Sequence, residues 1–244
     1  MKLKIFLILL SFLAWVGWTQ SPSGAAEILS RVDRTLNAPN DQKATAKMII
    51  RDSTGQEKER IIQMFQKGPE KRLFRFLSPA DQKGISVLSL PNDVIYLYLP
   101  AFKRVKRIAS HVKNNRFAGT DFSYEDLEAR NYAESYTPKL LREESNAFVL
   151  ELIPLDKNSE YSKQIMWVQK DNYVVVRAEF YNRKGTLYKE LTQQDIQQID
   201  GYWTPRITQM TDLVNNHSTS MELDEVAFDS GLEDSVFTTR YLQR

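Results

Sequence analysis

Period-two alternation is the feature that most restricts what this chain can fold into. Between Ala44 and Asp52, Ala46, Met48 and Ile50 fall on one face, while Thr45, Lys47 and Arg51 fall mostly on the other. Ser53-Thr54-Gly55-Gln56 reads as a hairpin turn, Arg60 to Gln66 as a returning strand and Lys71 to Leu77 as a third, with Gly68-Pro69 between them. After a turn at Ser78-Pro79-Ala80-Asp81, Ile85 to Leu90 and Val94 to Leu99 form the next pair around Pro91-Asn92-Asp93. The pattern resumes around Leu140 to Glu144 and runs through Ala147 to Ile153, Gln164 to Gln169 and Val174 to Tyr181. Thr186 to Gln197, Trp203 to Leu213 and Ser218 to Val226 complete it. Such sustained alternation, broken by short polar turns, predicts an antiparallel meander. Lys, Arg and Glu at alternate positions place one of its faces in water.

Two segments depart from simple alternation. Val94-Ile95-Tyr96-Leu97-Tyr98-Leu99 is apolar on both faces, so both faces of this strand are covered. Glu27 to Asn37 has Leu29, Val32 and Leu36 at helical spacing, with Arg31, Asp33 and Arg34 elsewhere, and is closed by Pro39, Asn40 and Asp41. Such an amphipathic helix needs a hydrophobic surface, and the sheet that follows is the obvious one. Gly231 to Tyr241 reads as a short closing helix burying Leu232, Val236 and Phe237. The fold class expected is mainly β with a few helices: a strongly curved antiparallel sheet, or incomplete β-barrel, with helices plugging the open face. The strand count alone also allows a closed barrel or a sandwich. At 244 residues and 42% hydrophobic content the chain suits one core.

The first residues form a leader. Lys2 and Lys4 precede an apolar run from Ile5 to Trp18, and small residues follow at Ser23, Gly24, Ala25 and Ala26. This is the secretory signal-peptide pattern, with cleavage expected after Ala25 or Ala26. The run is shorter than the roughly 20 apolar residues of a membrane span; an uncleaved anchor is the alternative. The division expected is residues 1–25 as signal peptide and 26–244 as a single domain, exported to the periplasm. Removing the leader takes Lys2 and Lys4, leaving 31 of the 33 basic residues against 31 acidic ones. A neutral exported chain is a poor nucleic-acid binder.

Little in the sequence points to catalysis. There are two histidines, His111 and His217, and no cysteine, which leaves no ligand set for a His/Cys zinc site. There is no Gly-x-Ser-x-Gly elbow and no phosphate-binding Gly-rich loop. Asp121, Glu125 and Asp126 could be imagined as paired glycosidase carboxylates. Ordinary capping preferences read them instead as the acidic start of a short helix, capped by Thr120 or Asp121. His217 suits a hydrogen-bonding role at a strand end, and Trp203 a core or rim aromatic. The expectation is a protein that is not an enzyme and needs neither cofactor nor metal. The densest positive segment carries Lys103, Arg104, Lys106 and Arg107, with no acid between Asp93 and Asp121. It reads either as a charge-protected edge strand or as a patch facing a partner or phosphate head groups.

Near the middle lies Phe117-Ala118-Gly119-Thr120-Asp121-Phe122-Ser123-Tyr124-Glu125-Asp126-Leu127, which resembles the signature of a branch of the LolA-like outer-membrane lipoprotein-sorting proteins. Gly84-Ile85-Ser86-Val87-Leu88, the run from Tyr98 to Ile108, Gly201-Tyr202-Trp203-Thr204-Pro205 and His217-Ser218-Thr219 fit the same branch. The resemblance spans nearly all of the chain after the leader. It implies the plugged, incomplete barrel and a non-catalytic carrier of lipid or lipoprotein acyl chains in a hydrophobic cavity. By that reading Leu29, Val32 and Leu36 of the helix and Ile95, Leu97 and Leu99 of the doubly apolar strand line the cavity. The partners are then an inner-membrane transporter or an outer-membrane acceptor, with no nucleic acid. The alternative is an accessory protein of an envelope transport assembly with no lipid cargo of its own. The founding carrier latches its lid with a strand arginine; Arg51, Arg60, Arg72 and Arg75 all stand in strands here, and the resemblance does not choose among them.

Overall fold

The computed structural model describes residues 23–129 and 131–244. The expected leader lies, through residue 22, outside the described residues. The first helix, α1 (Ser23–Leu36), is followed by β1 (Asp41–Arg51), β2 (Glu57–Lys67), β3 (Lys71–Ser78), β4 (Ser86–Leu90), β5 (Val94–Leu99) and β6 (Arg104–Arg107). A long connection leads to a single-turn helix, α2 (Tyr132–Ser135). Then come β7 (Tyr136–Glu143), β8 (Ala147–Pro154), β9 (Tyr161–Gln169), β10 (Val175–Asn182), β11 (Leu187–Ile199), β12 (Tyr202–Asp212), β13 (His217–Phe228) and α3 (Thr239–Leu242).

All thirteen strands form one antiparallel sheet in the order β6-β5-β4-β3-β2-β1-β13-β12-β11-β10-β9-β8-β7. Each half of the chain is a meander, and pairing of β1 with β13 joins the halves, with Met48 opposite Met221 and Ile50 opposite Thr219. The sheet curves without closing, and β6 and β7 are its edges. Of the three architectures the strand count allows, the open one is therefore realised. The turns follow their sequence signals. In the first hairpin, for instance, the Asp52 carboxylate accepts from the Thr54 and Gln56 amides at 2.9 and 3.0 Å.

Cross-strand register carries one face through the whole sheet. Ala46 lies opposite Ile62, Ile62 opposite Phe76, Phe74 opposite Val87 and Val87 opposite Leu97. These side chains share the concave face and join the main core with Phe117, Phe122 and Leu127 of the long connection. A second core lies under α1, whose Ile28, Leu29 and Val32 pack on Leu150, Leu152, Met166 and Val168. A third lies on the convex face, where Phe65, Leu73, Leu88 and Tyr98 meet Val236, Phe237 and Leu242. The doubly apolar β5 is thus covered on both sides, by the long connection on one and by the C-terminal segment on the other.

Two helical expectations change. Residues 120–127 form no helix: a bend leads to Ser123, which makes an isolated antiparallel bridge with Arg116, and a single turn follows over 124–127. Their acids are drawn to partners across the sheet, which leaves no helix to cap. The closing segment is a 3-10 turn, Asp234–Phe237, and then α3, parted by Thr238 in an extended conformation. This break lets Val236, Phe237 and Leu242 all face the sheet.

Candidate functional site

Residues 113–128 cross the concave face as an irregular segment, and each of their acidic side chains has its own anchor. The Asp121 side chain is wholly buried; it accepts from Thr219 Oγ1 at 2.7 Å and lies 2.7 Å from His217 Nδ1. Arg116 bridges Asp121 and Asp212. Glu125 accepts from Ser159 Oγ at 2.5 Å and from the Glu160 amide at 2.9 Å. Asp126 pairs with Lys189 Nζ at 2.7 Å and accepts from the Tyr161 hydroxyl and the Ser123 amide. The Asp126 amide donates back to Ser123 Oγ at 3.2 Å, the reciprocal geometry of a capping box without a helix behind it. Lys113 and Glu128, both buried, pair at 2.8 Å. Burial alone would raise the Asp126 carboxyl, but Lys189, Tyr161 and the Ser123 amide outweigh it and hold the group below the usual carboxylate range. The three acids therefore tie a loop to the sheet, Asp121 at β13, Glu125 at the approach to β9, and Asp126 at β11 and the start of β9.

Apolar contacts complete the plug. Phe117 stacks on Phe76 with ring centroids 5.2 Å apart, and the Arg60 guanidinium covers the same Phe76 ring at 5.0 Å. Ala118 and Gly119 both take positive φ, 47° and 77°, which makes the sharp bend that a glycine permits. Arg60 Nη1 donates to the Ala118 carbonyl at 2.7 Å and holds that bend. Among the four strand arginines, Arg60 is thus the one that grips the bend. Arg51 pairs with Glu57, Arg72 reaches Gln66 and the Glu128 carbonyl, and Arg75 donates to the Tyr241 carbonyl on the convex side.

Beside the plug the concave face is hollow. One cavity of about 240 Å³ lies between the end of α1 and the sheet, against Leu36, Met64, Phe74, Trp203, Met221 and Leu223. A second of about 140 Å³ continues under α1 along Val32, Met166, Phe180 and Leu191. The two share Thr35, Leu36, Gln193, Trp203 and Pro205, so they form one trough roofed by the last turn of α1. Small-molecule sites usually occupy roughly 300–1,000 Å³; taken as one trough, these cavities reach the lower end of that range.

The residues singled out from sequence separate into three places. Leu29 and Val32 are buried beneath α1, and Val32 also borders the trough. Leu36, 41% exposed, lines both parts of it. Ile95 and Leu97 are buried in the main core, with Leu99 packed against it, so these three sit under the plug and outside the trough lining. Lys103, Arg104, Lys106 and Arg107 are exposed on and beside the edge strand β6. Trp203, 39% exposed, stands on the rim of the trough. The lining residues Met64, Phe74, Leu191 and Met221 come from β2, β3, β11 and β13; alternation within each strand marks an inward face, but only the register shows that they meet.

An unclosed, strongly curved antiparallel sheet with an N-terminal helix and an internal segment over its concave face defines the LolA-like class. Comparisons agree. A domain assigned to outer membrane lipoprotein-sorting proteins from Vibrio parahaemolyticus is 35% identical, with a TM-score of 0.85, over 91% of this chain and 100% of that one. A DUF1329 family protein from Desulfovibrio piger is 28% identical, with a TM-score of 0.84, over 89% and 97% of the two chains. A LolA superfamily protein from Nitrosomonas europaea shares the fold at 24% identity, with a TM-score of 0.76, over 89% and 98%. A family model whose description reads only uncharacterized protein matches residues 68–244. No curated protein matches. The chain belongs to the LolA-like outer membrane lipoprotein-sorting family.

Proposed function

We propose that this protein is a non-catalytic periplasmic carrier or binding protein for the acyl chains of lipids or lipoproteins, and that the chain enters the trough beneath α1. The observation that carries this reading is the apolar lining of Leu36, Met64, Phe74, Leu191 and Met221, side by side on the concave face with a helix as roof. The lipoprotein-sorting assignment of the Vibrio parahaemolyticus relative and the signal-peptide pattern of the leader support it. An inner-membrane donor and an outer-membrane acceptor are the partners such a carrier requires. Burying about eight methylenes is worth about 6 kcal/mol. Association takes back roughly 4–15 kcal/mol. One chain is therefore held weakly, as a carrier that must release its cargo requires.

The second reading, an accessory protein of an envelope transport assembly, draws on the other half of the concave face, which Phe117, Phe122 and Leu127 cover. Displacement of a fluorescent fatty acid, with native mass spectrometry, separates the two. The carrier reading expects saturable binding by the parent protein and a tenfold or greater loss in Met221→Trp, which fills the trough, at unchanged melting temperature. Absence of probe binding by the folded parent would remove the carrier reading in favour of the accessory one.

A further inference from the structure

We infer that the β5–β6 hairpin is a docking element for an anionic lipid surface. Pro100–Phe102 forms a 3-10 turn, closed by the Lys103 amide donating to the Pro100 carbonyl at 3.0 Å, with Lys103 in the left-handed region at φ 48°. This turn holds the Phe102 ring outward, 68% exposed. Behind it, Arg104 and Lys106 lie opposite Leu99 and Leu97 on the concave side, while Arg107 lies opposite Tyr96 on the convex side. Val105, opposite Tyr98, packs into the convex apolar cluster and fixes the strand. None of Lys103, Arg104, Lys106 and Arg107 enters an ion pair among the described residues. The loop that touches the turn, through Gly84 against Pro100, brings one charge of each sign, Asp81 and Lys83.

Edge protection accounts for the cations but not for the aromatic tip, since a strand defended by charge gains nothing from an exposed Phe. A folded acidic protein lying along one face of the strand would meet only part of the set, because the cations alternate between faces. A lipid surface met end-on uses all of them. The Phe102 ring enters the boundary between head groups and acyl chains, and the cations on both sides reach phosphate oxygens. This placement does not depend on the trough, so it holds whether or not an acyl chain is bound there.

The test uses the chain from Ser23 to Arg244, which holds the whole described fold, in vesicle sedimentation. Vesicles of phosphatidylethanolamine with phosphatidylglycerol are compared with vesicles of phosphatidylcholine alone. Binding is expected to the anionic vesicles only and to weaken as salt rises. Lys106→Glu with Arg107→Glu lowers the partition coefficient by more than about tenfold. Phe102→Ser lowers it several-fold while leaving the salt dependence intact, and Met221→Trp leaves it unchanged. Equal binding to both vesicle types, or full binding by the charge-reversed protein, overturns the inference. So does tight capture of polyglutamate that ignores Phe102→Ser, which would assign the patch to an acidic protein partner.

Discussion

Replacing Lys189 by Met removes one member of a buried ion pair and nearly preserves the shape of the side chain. Lys189 Nζ lies 2.7 Å from Asp126 Oδ2, with 7% and 6% of the two side chains exposed, and the rings of Tyr161, Phe180 and Tyr188 surround the ammonium at 5.3–5.7 Å. At an effective dielectric of about 20, the direct attraction at this distance is about 6 kcal/mol. Desolvation of both ions consumes much of it, so the intact pair is a modest net gain. The single variant is another matter: it strands the Asp126 carboxylate with only Tyr161 and the Ser123 amide, and losing one partner of a buried pair costs about 3–5 kcal/mol. For a domain of this size that lowers Tm by about 6–20 °C. Asp126→Asn should cost a similar amount, and the double variant should recover to within about 2 kcal/mol of the parent, because neither charge is then left alone. Urea unfolding followed by circular dichroism, with equal m-values across the set, reads these differences. A Lys189→Met variant within about 1 kcal/mol of the parent, or single effects that simply add, would refute the claim that this pair anchors the central segment.

Further outcomes follow at two other places in the fold. Asp41 accepts from the Ser230, Gly231 and Leu232 amides at 2.8–2.9 Å and from Ser230 Oγ; burial pushes its carboxyl up, but these donors outweigh it and hold the group below its ordinary value. A depressed folded pKa gives stability that is present above the unfolded value of about 3.9 and is lost as pH falls through the folded one. Amide protection factors across residues 230–242, which correct for the intrinsic exchange rate, should therefore fall below about pH 4, and Asp41→Asn should lower them about tenfold or more at neutral pH. Gly84 has φ +86°, and an added Cβ would sit 3.0 Å from Pro100 Cγ, so Gly84→Ala should cost more than about 1 kcal/mol and lower Tm by at least about 2–4 °C in calorimetry.

What was legible in the sequence was local. Ala46, Met48 and Ile50 alternate within one strand, and their shared face follows from the pleat without knowledge of any partner. The Leu29 and Val32 stripe likewise follows from the helical period, and α1 occupies Ser23–Leu36 against an expected Glu27 to Asn37. The roles of Asp121, Glu125 and Asp126 were not legible, because their partners are remote: Thr219 is 98 residues from Asp121 and Lys189 is 63 from Asp126. Within a window of ten residues those acids look like a helix start, and only the fold supplies the cations and hydroxyls that hold them elsewhere. Leu97 shows the same limit. Alternation places it on the concave face, but whether that face is open or covered depends on where residues 113–128 run, and they run over it.

The distribution of ties decides which part of the concave face can open. The central segment is fastened to β2 through Arg60, to β13 through Thr219 and His217, to β11 through Lys189 and to the approach of β9 through Ser159. It therefore spans both halves of the sheet with buried charged contacts, and lifting it would strand several of them at about 3–5 kcal/mol each. At the other side, α1 is fixed in its middle, where Leu29 and Val32 are buried and the Asp33 carboxylate accepts from the Tyr132 and Ala133 amides at 2.8 Å. Its last turn is held more lightly. Thr35 Oγ1 donates to the Asn172 carbonyl at 3.0 Å, Gln66 donates to the Asn37 side chain at 3.1 Å, and Leu36 has no complete apolar cover. Neutral hydrogen bonds of this kind contribute about 0.5–1.5 kcal/mol each. The segment from Thr35 to Pro39, at the end of α1 and beside Met221 and Trp203 in the trough lining, is therefore the part of the roof that costs least to move.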